Sequence, residues 1–215
     1  MNKILLSILI PTVVGREEEL KHLYNKIIDG KSWNEVKVES DKYERHLGLR
    51  SDGLVAFEIY KDDKTVSIGE KREDMYKDSI GLYSWSIDDD DDIADNAIKL
   101  ILEAIRSNSD VDCITFEEHI DIDGKIQRSN HSLKYADWCD NFDDFDYCRT
   151  PFMKSVIKTE IAKSVPIPHI RFGEDHQWAQ VLKPHLKTEF HIDQQLYKYI
   201  HRSSNPTERY GLDKT

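Results

Sequence analysis

The sequence has little that could staple, anchor or divide it. It holds only three cysteines, Cys113, Cys139 and Cys148, with no Cys-x-x-Cys spacing. They cannot all pair with one another, which excludes a disulfide framework and points to a reduced, cytoplasmic setting. No apolar run approaches the roughly 20 residues that a membrane helix needs. The short apolar stretch from Lys3 to Gly15 runs through Pro11-Thr12 into an amphipathic segment, so it reads as a buried strand and not as a signal peptide. Glycine and proline are sparse, 9 and 6 among 215 residues, and no Pro/Gly/Ser-rich linker divides the chain. One domain over residues 1–202 is expected, with 203–215 a polar tail. Positive charge is also short: 30 Lys and Arg against 41 Asp and Glu leave a formal charge of -11. That balance disfavours a nucleic-acid backbone or an anionic membrane surface as the general partner, and any phosphate ligand must be held by local cations.

What is present is an alternation of strand and helix patterns. Ile4 to Ile10 is a near-continuous apolar run, the signature of a parallel strand covered on both faces. Leu20, Leu23, Tyr24, Ile27 and Ile28 then recur at helical spacing. Residues 31–53 are polar and ambiguous, with Val36 to Val38 as an edge-strand candidate. Leu54 to Tyr60 predicts a second strand ending near Asp62, Glu70 to Ser79 a helix, Leu82 to Ile87 a third strand, and Ala97 to Ile105 another helix. This order implies an α/β fold with a doubly wound, mostly parallel sheet and helices on both faces, which binds ligands beyond the carboxyl ends of its strands. In the second half, Cys113 to Ile122 and Lys125 to Leu133 flank Asp123-Gly124 and predict a hairpin. Met153, Val156, Ile157 and Ile161 predict a helix, and another begins near Glu174.

The third strand runs directly into five aspartates, Asp88 to Asp92. Such a run is ordinarily a solvated loop, but placed at the end of a buried strand it is held over the ligand crevice. Carboxylates there suit Mg²⁺ or Mn²⁺, which complete their shells with water and phosphate oxygens, so a nucleoside diphosphate is the expected ligand. An EF-hand is excluded, since Ile93 stands where the loop needs glycine and Lys99 where it needs glutamate. Ser67 to Arg72 places a glycine, two cations and a helix start together, either an anion site or an ordinary capped helix. Nine histidines include no His-Glu-x-x-His, which argues against zinc; His201 is a surface residue or a late contact to diphosphate or metal. Trp138, Phe142, Phe145 and Tyr147 read as core packing, with stacking on an acceptor sugar as the alternative.

These landmarks together resemble family 2 glycosyltransferases, which have the GT-A fold. Pro11-Thr12 with Arg16 follows the first strand, Asp62 ends the second, Gly69-Glu70-Lys71-Arg72 comes next, Ile87 to Asn96 follows the third strand, and Phe172-Gly173-Glu174-Asp175 looks like the family's late Glu-Asp motif. The resemblance implies a nucleotide-binding half (1–107) and a hairpin-containing acceptor half (108–202). It implies nucleotide-sugar contacts from Pro11, Thr12, Arg16, Asp62, Lys71, Arg72, Asp88 and Asp89, with Asp62 on the base and Asp41 as its rival. Asp88 and Asp90 match the Asp-x-Asp that holds Mn²⁺ or Mg²⁺, and Asp175 matches the catalytic base. The implied reaction is inverting transfer of a hexose-type residue from a nucleoside diphosphate sugar, of the UDP class, to a hydroxyl of a glycan or other acceptor. Two departures are Glu73, where the family often has asparagine, and Asp62 to Thr65 in place of Asp-Asp-Gly-Ser. Sugar-nucleotide pyrophosphorylases are the rival enzyme class, disfavoured because Pro11 to Arg16 holds only Gly15 and cannot wrap a triphosphate. A non-catalytic acidic module is the third reading.

Overall fold

The computed structural model describes residues 3–108 and 110–203; the polar tail expected from 203 lies outside them apart from Ser203. The first apolar run forms β1 (Leu6–Val13), followed by α1 (Glu17–Ile28), β2 (Trp33–Val38), β3 (Glu44–Arg50), β4 (Val55–Asp62), α2 (Ile68–Asp78), β5 (Tyr83–Ser86), β6 (Asp92–Ile93) and α3 (Ala97–Ser107). The second half contains β7 (Cys113–Ile122), β8 (Lys125–His131), β9 (Cys139–Phe142), β10 (Phe145–Arg149), β11 (Val156–Lys158), α4 (Thr159–Ser164), α5 (Glu174–Leu182), a 3-10 turn (Lys183–His185) and β12 (Glu189–His201).

All strands join one sheet, in the order β2-β3-β4-β1-β5-β11-β7-β8-β10-β9, with β12 alongside β7 and β6. The α/β architecture is as the alternation predicts. Parallel pairing, expected through most of the sheet, is confined to β1 with β4 and β5, β8 with β10, and β7 with β12; the other pairs are antiparallel, so the sheet is mixed. The ambiguous stretch 31–53 folds as the antiparallel pair β2 and β3, extending the sheet beyond β4. Its alternation is weak because β2 is an edge strand, exposed along most of its length.

Helices cover both faces. Leu6, Ile8 and Ile10 of β1 meet α1 and α3 through Leu23, Ile27, Ile101 and Ile105, while Leu9 points to the opposite face and meets Met75 and Tyr76 of α2 and Trp178 of α5. This is the period-2 alternation of a strand buried on both sides. The helix predicted through Met153 to Ile161 is corrected: Val156–Lys158 is a strand wedged between β5 and β7, and only Thr159–Ser164 is helical. A central strand demands buried apolar residues on both faces, and the two that this strand supplies, Val156 and Ile157, cannot be told from a helix turn by spacing. The long β12 was not foreseen, because its residues alternate among polar, charged and aromatic types. Among the described residues no helix is long and apolar enough to cross a membrane.

Candidate active site

β1, β4 and β5 run parallel, with Val13 opposite Asp62 and Leu9 opposite Ser86, so their carboxyl ends open on one edge of the sheet. The loops leaving that edge and the N-terminal turn of α5 surround a cavity of about 710 Å³, within the usual range for a small-ligand site. Of the residues expected from sequence, Pro11, Thr12, Arg16, Lys71, Arg72, Asp88, Asp89, Asp90 and Asp175 line it, as does His201. Asp62 sits behind the wall, buried and ion-paired with Lys71, and its other oxygen accepts from the Val66 amide at 3.1 Å. Asp41 is exposed in the β2–β3 turn and is not a lining residue.

The aspartates after β5 diverge, each with its own partners. Asp88 pairs with Arg72, and its amide donates to the Tyr197 hydroxyl at 3.2 Å. Asp89 accepts from the Thr12 hydroxyl at 2.5 Å and lies 3.2 Å from Arg16, which also pairs with Asp90. Asp91 turns inward, where it accepts from the Tyr197 hydroxyl at 2.6 Å and the Ile200 amide at 2.9 Å. Asp92 lies in β6 and faces α1, 3.2 Å from Lys26. Burial raises the Asp88 carboxyl, but Arg72, Lys154 and Arg16 outweigh it and hold it below the ordinary range. Burial pushes Asp89 up to about 7 against the pull of Arg16 and Thr12, and raises Asp90 as well. A dense acidic run is tolerable here because cations are threaded between its members.

Arg72 is the junction of the site. It is buried and joins Asp88 to Glu174 Oε1, the latter at 2.6 Å, and so ties α2, the aspartate loop and the start of α5 into one frame. Burial disfavours its charge, but Asp88, Glu174 and Asp175 more than restore it. Lys71 donates to the Thr12 carbonyl at 2.6 Å in addition to its pair with Asp62. The α2 start is not an open anion site: Ser67 Oγ accepts from Glu70 N at 3.2 Å, and Gly69 N donates to the Ile170 carbonyl at 3.2 Å. Gly69 serves close packing, since a Cβ there would lie 1.8 Å from the Pro168 carbonyl oxygen. That contact seats the segment leading to Gly173, whose φ of +80° lets the chain turn into α5 and present Glu174 inward and Asp175 to the cavity.

A second polar cluster, not foreseen from sequence, supports the aspartate loop from the β7 side. Lys154 lies 3.1 Å from Glu118 Oε1 and 3.4 Å from Asp91 Oδ2, with its ammonium over the Tyr197 and Tyr199 rings. Glu118 also meets His131 Nε2 at 3.0 Å. Burial opposes the Glu118 charge, but Lys154 and His131 overcome it and hold the carboxyl at about 2. Nothing in the spacing of Glu118, His131 and Lys154 marks them as partners. Trp138 also lines the cavity, packed on Phe152 at 5.1 Å and His176 at 4.7 Å. The core reading fails for Phe142, Phe145 and Tyr147, which lie exposed or half-exposed on the β9–β10 hairpin.

The donor set accords with an ion held chiefly by substrate. Asp88 and Asp90 present carboxylates to the cavity, but among the described residues no group of three or more Asp, Glu, His or Cys side chains could cage a metal. Mg²⁺ commonly takes one or two carboxylates and fills its remaining positions with phosphate and water.

No protein-family pattern and no curated protein matches this sequence. Solved structures do match. S. aureus TarS 1-349 superposes with a TM-score of 0.60 at 14% identity, over 91% of this chain and 60% of that one. The same protein in complex with UDP-GlcNAc gives 0.57 at 13% identity, over 96% and 62%, and in complex with UDP 0.54 at 12% identity, over 91% and 60%. The chain shares the fold of these TarS structures. The chain spans about three fifths of the length of those TarS chains. Within this fold, the cavity at the strand ends collects the motif residues from four separate segments of sequence.

Proposed function

We propose that the chain is an inverting glycosyltransferase that moves a hexose-type sugar from a nucleoside diphosphate donor, of the UDP class, to a hydroxyl of a glycan or other acceptor. The observation that carries this reading is the convergence of Thr12, Arg16, Lys71, Arg72, Asp88 to Asp90 and Asp175 on one cavity, in a fold shared with a protein solved in complex with UDP-GlcNAc.

In this reading Pro11, Thr12 and Arg16 form the nucleoside side of the cavity, and Asp62 and Lys71 act as a buried pair that fixes the Thr12 backbone. Arg72 holds Asp88 in place and lends positive charge to a site that receives a diphosphate. A Mn²⁺ or Mg²⁺ ion on Asp88 and Asp90 would neutralise the departing diphosphate when bound. Asp175 takes the proton from the attacking acceptor hydroxyl; its Oδ1 accepts from the His176 amide at 2.7 Å, which orients the carboxylate at the head of α5. Attack from the face opposite the leaving group inverts the anomeric centre.

A screen of nucleotide sugars with Mn²⁺, read as release of the nucleoside diphosphate, tests the donor class, and the anomeric configuration of the product by NMR tests inversion. Asp175→Asn is expected to keep UDP binding by calorimetry while transfer falls on the order of 10²-fold or more. Full transfer by that variant would remove Asp175 from the role of base, and a wild-type chain that binds neither UDP nor a UDP-sugar would overturn the donor assignment.

A further inference from the structure

The β9–β10 hairpin brings together two cysteines that lie far apart in the ordinary sense of a redox motif. Cys139 and Cys148 are directly opposite one another in the antiparallel register, and both thiols are free. The hairpin closes through Asp143 and Asp144, both with left-handed φ, 57° and 64°, as a tight two-residue turn of the I′ kind requires. Opposed residues of an antiparallel pair have Cα atoms about 4.5–5.5 Å apart, inside the span of roughly 4.4–6.8 Å that a disulfide bridges. Cys139 is exposed, on a strand exposed throughout, whereas Cys148 is buried and donates to the Phe142 carbonyl at 3.0 Å. Burial raises the Cys148 thiol, and the neighbouring Cys139 thiol adds to the rise, so the two sulfurs sense one another.

We propose that Cys139 and Cys148 form a peroxide-oxidisable thiol pair that closes to a disulfide across the hairpin, a modification site next to two residues that line the cavity. Exposure makes Cys139 the residue that meets the oxidant. Its thiolate attacks one oxygen of hydrogen peroxide, the O–O bond breaks, and the hydroxide released takes up the proton that Cys139 lost. Cys139 is then a sulfenic acid. Cys148 Sγ attacks that sulfur, the S–S bond forms as the S–O bond breaks, and the departing hydroxide leaves as water with the Cys148 proton. Two thiols are oxidised and one peroxide is reduced to two waters. The pair is flanked by Trp138 and Arg149, which line the cavity, with the guanidinium 5.0 Å from the indole centroid and bonded to the Cys139 carbonyl at 3.0 Å. A disulfide would therefore fix the strand spacing beneath that stacked pair. The thiol chemistry is independent of the reaction that the cavity performs.

The test treats the reduced full-length chain with hydrogen peroxide, alkylates remaining thiols, and maps non-reduced peptides by mass spectrometry. The expected result is a Cys139–Cys148 bridged peptide that disappears with dithiothreitol and is absent from Cys139→Ser, while Cys113, buried on β7, stays alkylatable on denaturation. Cys139→Ser alters an exposed residue, so the comparison does not rest on the buried Cys148→Ser variant. Three outcomes would overturn the proposal: Cys139 oxidised to sulfinic acid with Cys148 still a thiol, chains cross-linked through Cys139, or both thiols unchanged.

Discussion

Lys154→Met removes the one cation that stands between Asp91 and Glu118 while keeping a side chain of similar length. At an effective dielectric of about 20, the ammonium-to-carboxylate separation of 3.1 Å to Glu118 corresponds to roughly 5 kcal/mol of attraction; burial lifts the Asp91 carboxyl to about 8, so this residue, 3.4 Å away, adds Coulombic attraction only where it is ionised. Most of that is offset by the cost of withdrawing the charges from water, so the expected loss is what breaking a buried pair costs, about 3–5 kcal/mol. For a chain of this size the melting temperature should fall by roughly 10 °C. The fold should survive, since Asp91 keeps the Tyr197 hydroxyl and Glu118 keeps His131. The loss should also depend on pH. In the native chain Glu118 is held at about 2 against an ordinary value of 4.5, so its contribution is present above the unfolded value and is lost as pH falls through the folded one. Without Lys154, burial acts with less opposition, the carboxyl rises, and protonation relieves the variant at mild acidity. The deficit measured by thermal denaturation should be widest near about pH 7.5 and narrow toward about pH 5, and a second substitution, Glu118→Gln, should recover part of it. A melting temperature within about 2 °C of the parent, or a deficit independent of pH, would refute the cluster's role.

Further expectations concern packing and a buried acid remote from the site. Gly69→Ala gains about 1 kcal/mol of helix propensity but drives a methyl to 1.8 Å from a backbone oxygen of Pro168. A net fall in melting temperature is expected, with faster hydrogen exchange across 167–173; an unchanged or raised value would contradict the contact. Glu58 is 3% exposed, and burial lifts its carboxyl to about 7, with Arg45 pulling it down from 4.0 Å. A native pKa above the unfolded one stabilises the protein at low pH, and that contribution is lost as pH rises through about 7. Glu58→Gln should therefore raise stability above neutrality, by at most about 3 kcal/mol, and leave it unchanged near the unfolded value. Equal melting shifts at both pH extremes would show that Glu58 titrates alike in the folded and unfolded chain and that burial does not raise it.

Much of the cavity wall at the strand ends was legible in the sequence because it rests on local patterns. An apolar run ending in Pro11-Thr12, a strand ending at Asp62 and another running into Asp88 place polar residues at strand ends, and parallel strands bring those ends to one edge. The Lys154–Glu118–His131 cluster was not legible. Its members come from β7, β8 and the segment before β11, and their partnership exists only because β11 is wedged between β5 and β7. The same wedge defeated the helix expected through Met153 to Ile161, where the buried Val156 and Ile157 satisfy strand and helix spacing alike. For the cysteines, a count could exclude a framework but could not show that Cys139 faces Cys148, since that depends on a register set by the turn at Asp143-Asp144.

By itself the sequence determined the class of fold, the strand ends that carry polar residues and the chemical kind of groups offered there, because periodicity and strand termini are local properties of the chain. Tertiary structure alone decided which charges meet. It turned Asp91 inward and Asp92 away, placed Asp62 behind the wall as the partner of Lys71, and used Arg72 to lock the aspartate loop to Glu174. Pairing energies between buried charges depend on separations of a few ångströms between segments distant in sequence, and only the packed fold sets those separations.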